Sequence, residues 1–178
     1  MDAHIRTAST QDLDPVRHVH LQAFPETESR QIADLAGRLL TERTDPETLS
    51  LVAETSDEVI GHVAFSPVYG GVEERCLGYL LAPLAVKPNC HGAGIGSQLV
   101  TEGIARLSAS GIDLFLVYGD PNYYGRFGFV AEAALRFIAP YELKYPFGWL
   151  AMRRNGGHVP EEPVQLSCVA SLRDPTLW

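Results

Sequence analysis

GYLLAPLAVKPNCHGAGIGSQLV, residues 78–100, joins an apolar run to a helix-like stretch through a loop that carries Gly92, Gly94 and Gly96. The run before the loop is apolar on both faces, as in a strand covered from both sides. The stretch after it puts Gly96, Leu99, Val100, Gly103, Ile104 and Leu107 on one face and Ser97, Gln98, Thr101 and Glu102 on the other. That spacing predicts a helix from about Gly94 to Ser108, with Gly111 placed to cap its end. IDLFLVYG, residues 112–119, reads as another buried strand. Strand, helix and strand in this order predict a right-handed crossover between two parallel strands. Pro83 interrupts the first of them. Having no N–H, it cannot complete a ladder there, so a bulge or a break in pairing is expected.

Working outward, HIRTA (residues 4–8) alternates like a short strand, and Ser9 with Asp12 has the capping-box spacing that starts a helix. Leu13, Val16, His20, Ala23 and Phe24 share one face of that helix, which Pro25 ends. Ile32, Leu35, Ala36, Leu39 and Leu40 mark a second helix after a loop at PETE, residues 25–28. The period then changes to two. LSLVAET and EVIGHVAFSPV flank Ser56-Asp57 as a hairpin, and RCLGYLLAPLAV pairs beside the second of them. Asp120 as N-cap and Pro121 at the first helical position predict a short helix over PNYY. Beyond residue 136 the patterns weaken: GWLAMRR and VQLSCVASL read as closing strands around a loop, RNGGHVPEEP.

The 178 residues are 46% hydrophobic, enough for one core and one domain. No run of eighteen apolar residues occurs, and the first residues lack the basic flank and apolar stretch of a signal peptide, so a soluble cytoplasmic protein is expected. Cys76, Cys90 and Cys168 have no metal or redox spacing and read as reduced thiols. A net charge of −8 argues against nucleic acid or membrane partners and permits a cationic ligand. The sequence is compatible with a homodimer. His18 and His20 point in different directions on a helix, so no metal site is expected there.

A glycine loop that leads into a helix makes an anion site, because unpaired first-turn amides converge there and the helix dipole adds positive charge. Two familiar phosphate loops fail on residues. Ser97 follows Gly96 with no lysine before it, which excludes a Walker loop, and the single-residue glycine spacing excludes the dinucleotide fingerprint. HGAGIG, with LAVKP before it and GDPNYYGRFGF after it, resembles instead the acetyl-coenzyme A signature of the GCN5-related N-acetyltransferase superfamily, and within it a YhbS-like bacterial branch. The resemblance spans residues 3–155 and leaves 156–178 as an extension packed on the same domain. It implies an α/β domain with a mixed, mostly antiparallel sheet, helices on both faces and a parallel βαβ crossover at the acetyl-coenzyme A site.

By that resemblance, backbone groups of Leu84, Ala85 and Val86 pair with the pantetheine arm. Residues His91, Gly92, Ala93, Gly94, Ile95, Gly96 and Ser97 form the pyrophosphate loop, with Lys87 and Arg126 as candidate cations. His91 stands where the superfamily usually has Gln or Arg. Acetyl transfer to a primary amine of a small molecule or peptide in a ternary complex needs a neutral amine, a donor to the oxyanion near Val86, and an acid for the leaving thiolate. The resemblance assigns that acid to Tyr124 and leaves Tyr123 for packing. Tyrosine protonating a thiolate is uphill by about 1.5 pK units, or about 2 kcal/mol. Glu26, Glu28, His62 and Asp120 are the candidate bases, Asp120 reading foremost as a helix cap. Two alternatives stay open: a module that binds acyl-coenzyme A without an acceptor, and transfer of a longer acyl group.

Overall fold

In the computed structural model, residues 3–56, 58–157 and 159–178 are described. Asp57 at the expected hairpin tip and His158 in the expected 154–163 loop lie outside them. The chain starts with strand β1 (His4–Thr7). The Ser9 N–H donates to Asp12 Oδ2 at 2.7 Å, and a 3-10 turn feeds helix α1 (Leu13–Ala23). Helix α2 (Glu26–Thr41) begins directly after Pro25, which corrects the loop expected at PETE. A proline at a helix start gives up no needed N–H, and Glu26 and Glu28 sit in the first turn at the positive end of the helix dipole.

Strands β2 (Leu49–Thr55) and β3 (Glu58–Gly70) form the expected hairpin, and β4 (Arg75–Val86) pairs antiparallel with β3. Helix α3 (Ile95–Ala109) and strand β5 (Leu114–Tyr118) complete the crossover, with β5 parallel to β4. Short helices α4 (Pro121–Tyr124) and α5 (Ala131–Ala134) precede strands β6 (Phe137–Ile138), β7 (Trp149–Arg153) and β8 (Val164–Cys168). The two residues of β6 are too few to show any alternation in the sequence.

The strand order is β1-β2-β3-β4-β5-β7, and β8 takes the edge of β3 beyond the end of β2. Alternation along each strand divides the core. Leu51, Val63, Phe65, Leu81, Phe115 and Val117 pack with Leu99, Val100 and Ile104 of α3. Their neighbours Leu80, Leu114 and Leu116 cluster instead with Leu35 and Leu39 of α2, joined by Leu172 and Trp178 from the end of the chain. Val52, Val59 and Ala85 meet Val16 and Val19 of α1. Helices therefore cover both faces, as the unbroken apolar run of β4 requires.

The sheet opens at one point. Pairing of β4 with β5 ends at Leu81 opposite Val117. Against β3, Leu81 faces Phe65 and Leu84 faces Val63, so Ala82 and Pro83 share the space opposite Ala64. This is the bulge expected at Pro83. Beyond it β4 stays with β3, whereas β5 follows β7 and its continuation, with the Gly119 N–H donating to the Gly148 carbonyl at 2.9 Å. A gap is left between the ends of two parallel strands.

Candidate active site

The gap exposes one edge of β4. The Lys87 N–H donates to the Ile60 carbonyl at 2.9 Å. By antiparallel alternation, Val86 and Leu84 then turn their N–H and C=O groups away from β3, toward the gap. Ala85, grouped with them in the sequence reading, lies in the hydrogen-bonding register opposite His62 and directs its groups to β3.

Downstream, Gly92 (φ +80°) and Gly94 (φ +77°) adopt the left-handed conformation that favours glycine. A Cβ on Gly92 would meet no atom, so its outer side is open to a ligand. Gly94 is the N-cap of α3 with no side-chain cap, leaving the first-turn amides available to an anion. His91 Nε2 donates to the Val86 carbonyl at 2.8 Å, tying the start of the loop to the end of β4. A cavity of about 400 Å³ is lined by Leu84–Val86, by His91, Gly92, Gly94 and Ile95–Ser97, and by Tyr123 and Arg126. Ala93 is exposed beside it.

The two candidate cations separate. The Arg126 guanidinium lies 4.4 Å from the Tyr123 ring centroid, and its Nε donates to the Tyr123 carbonyl at 2.9 Å. It makes no ion pair among the described residues and stays exposed on the cavity wall. Lys87 is only 6% exposed and its Nζ is paired with Glu58, whose carboxyl it holds below the usual range. Of the two candidate cations, Lys87 is thereby withdrawn from the loop. Tyr123 has more than a packing role, since it walls the cavity and would contact a Cβ on Gly96 at 2.6 Å through its hydroxyl.

A second cavity, of about 320 Å³, opens on the α2 side of the gap. Its walls are Phe24, Ile32, Leu35, the turn Leu81–Leu84, Tyr118, Gly119, Tyr124 and the terminal Leu172, Leu177 and Trp178. Leu84 belongs to both cavities, so they meet at the gap. Tyr124 is packed edge-on against Phe129, with ring centroids 5.9 Å apart, and lies close over Gly119. Burial raises its pKa above the ordinary tyrosine value, and no hydrogen bond offsets that shift.

None of the four candidate bases lines this second cavity. His62 is fully buried, with Nδ1 2.8 Å from His20 Nε2 and Nε2 2.7 Å from Ser50 Oγ. Burial pushes the His20 pKa down to about 3 and carries His62 well below its usual value, so both rings are neutral. Asp120 caps α4 by accepting the Asn122 N–H at 2.9 Å, and Glu26 and Glu28 lie exposed on α2. Among the described residues no group of three or more His, Cys, Asp or Glu could hold a metal ion, and no helix is long and apolar enough to cross a membrane.

Two cavities meet where the sheet splits, one walled by an anion-ready helix start and one apolar. The family model described as the acetyltransferase (GNAT) family matches residues 13–129. The uncharacterised N-acetyltransferase YjhQ of Escherichia coli K12 is 34% identical over 134 residues, 74% of this chain and 72% of that protein. Escherichia coli YhbS is 48% identical over 89 residues, a match spanning 52% of YhbS. Among solved structures, Escherichia coli YhbS in complex with CoA has a TM-score of 0.75 at 31% identity, over 93% of this chain and 89% of that one. A GNAT acetyltransferase of Brucella melitensis in complex with acetyl-CoA has a TM-score of 0.68 at 32% identity, over 96% and 97% of the two chains. The chain belongs to the GNAT family of acetyltransferases.

Proposed function

We propose that the chain transfers an acetyl group from acetyl-coenzyme A to the nitrogen of a primary amine by direct attack within a ternary complex. The observation that carries this reading is the meeting of the two cavities at Leu84, where β4 and β5 part. A donor and an acceptor entering from the α3 and α2 sides reach each other there. The solved relatives, whose structures hold CoA and acetyl-CoA, support the donor's identity.

In this reading the amides at Gly92 and from Gly94 to Ser97 hold the pyrophosphate, with Arg126 as the available cation. The outward groups of Leu84 and the Val86 N–H pair with the pantetheine amides. His91 acts on the loop rather than on phosphate, because its Nε2–H is already given to the Val86 carbonyl. The amine nitrogen bonds to the thioester carbonyl carbon while an N–H at the β4 edge steadies the oxygen. The C–S bond then breaks with its electron pair going to sulfur, Tyr124 gives its proton to that sulfur, and the nitrogen loses one proton to solvent. Tyr124 regains its proton from solvent.

Residues 156–178 belong to the same catalytic unit, a reading supported by Leu172, Leu177 and Trp178 in the acceptor cavity wall. A cytoplasmic location fits the three free thiols. Thiol release from acetyl-coenzyme A by the wild type and by Tyr124→Phe, with donor binding measured in parallel, tests the assignment.

A further inference from the structure

The acceptor cavity has a composition that narrows what it can take. Among the described residues that line it there is no acidic, basic or imidazole side chain. Its polar side-chain atoms are the indole N–H of Trp178 and the hydroxyls of Tyr118 and Tyr124. Two of the three are engaged elsewhere: the Trp178 Nε1–H donates to the Leu172 carbonyl at 3.1 Å, and the Tyr118 oxygen accepts the Tyr145 N–H at 2.7 Å. The aromatic walls are fixed by stacking, Phe24 on His20 with centroids 5.9 Å apart and Tyr118 on Trp178 with centroids 6.4 Å apart. The volume of about 320 Å³ is roughly twice that of an apolar cavity known to hold benzene, of about 150 Å³.

These features bear on the chemistry of the acceptor. An amino acid or a peptide brings a carboxylate or amides into this space, and a polyamine or an aminoglycoside brings further cations. The walls offer no charged side chain and only tyrosine hydroxyls as unspent polar partners, so a further charged group held against them is left without a counter-charge, which is unfavourable. An aromatic ring on a short arm instead gains apolar burial and edge or face contacts with Phe24, Tyr118 and Trp178. A second consequence concerns protonation. Because no acidic or imidazole side chain lines the cavity among the described residues, the amine is expected to enter as the free base.

We propose that the acceptor is an arylalkylamine or arylamine carrying no second charge. This rests on the reading of the chain as an acetyl-coenzyme A dependent enzyme. The overall negative charge of the chain draws cationic amines to the surface, and the cavity selects among them by refusing any further charged group.

The test is thiol release from acetyl-coenzyme A with phenethylamine, phenylalanine and spermidine, alongside calorimetric titration of acetyl-coenzyme A alone. The expected kcat/KM for phenethylamine exceeds that for either other amine by about 100-fold, the scale of an unpaired buried charge. It also rises with pH up to the amine's own pKa. Ile32→Glu is expected to invert the order, favouring spermidine over phenethylamine. Ile32→Trp, which fills the cavity without adding charge, lowers phenethylamine turnover and leaves the acetyl-coenzyme A Kd unchanged. Donor binding with equal or better use of phenylalanine or spermidine, or with no amine used, overturns the proposal. Preference for octanoyl- over acetyl-coenzyme A also overturns it and assigns the cavity to an acyl chain. Failure to bind acetyl-coenzyme A removes the underlying reading as well.

Discussion

Tyr124 is held in place by a glycine. A Cβ at Gly119 would stand 2.5 Å from Tyr124 Cε2, so the ring lies on bare backbone at the end of β5. Gly119→Ala should push the ring off its position and cut kcat by about 100-fold, the scale of a misplacement near 1 Å, with the acetyl-coenzyme A Kd unchanged. Steady-state kinetics with calorimetry checks this, and an unchanged kcat contradicts it. The short helix that carries Tyr124 was legible because its signals are local, with Asp120 as cap and Pro121 at its first position. The surroundings of His62 and Lys87, left open as a candidate base and a candidate cation, were not legible for the opposite reason. Their partners His20, Ser50 and Glu58 lie 42, 12 and 29 residues away, and no periodicity announces them. The buried histidines also have a stability consequence. With folded pKa values below the unfolded value of about 6.5, the unfolded chain binds more protons in acid. Stability is full above about pH 6.5 and falls as pH drops toward the folded pKa, by up to about 1.4 kcal/mol per pH unit for each histidine. Asp12, held at about 2 by Arg6, adds its loss only further down. Urea unfolding from about pH 7 to pH 4.5 should show the decline, and a flat profile would rule it out.

Helix α3 positions the anion loop through one close approach. A Cβ at Gly103 would stand 2.1 Å from Phe65 Cε2, so the helix rests directly on the ring of a fully buried β3 residue. Gly103→Ala must lift the helix or turn the ring, at a cost of about 1–3 kcal/mol, the range for overpacking a core. Because the same helix carries the first-turn amides, acetyl-coenzyme A binding should weaken with it. A urea midpoint equal to that of the wild type would contradict the packing argument. Helix α3 was readable because its burial repeats at a helical period, β4 and the β2–β3 hairpin because they are apolar runs bounded by turn residues, and Pro83 announced the bulge by lacking an N–H. The start of α2 was not, since PETE has turn-like composition and becomes helical through its dipole and the packing of its later turns. The pairing of β6 with β8 is only two residues long and rests on contacts between segments distant in the chain.

At the scale of the molecule, the opening between β4 and β5 joins a cleft backed by α3, the proposed donor site, to a cavity backed by α2 and residues 172–178, the proposed acceptor site. The glycine loop of the α3 half was visible in the sequence, because glycine spacing and a strand-to-helix junction are neighbours along the chain. The cavity on the α2 side was not, because Phe24, Ile32, Tyr118 and Trp178 are brought together only by the folded sheet. The central claim is that both halves serve one transfer with Tyr124 at their junction. It is tested most directly by comparing thiol release from acetyl-coenzyme A, with phenethylamine as acceptor, between the wild type and Tyr124→Phe. The donor Kd of each is measured by calorimetry. The account predicts equal donor binding, release lowered by about 10²–10⁴-fold in the variant, and wild-type activity maintained to about pH 10 because burial keeps Tyr124 protonated. Equal release by both proteins at every pH would contradict it.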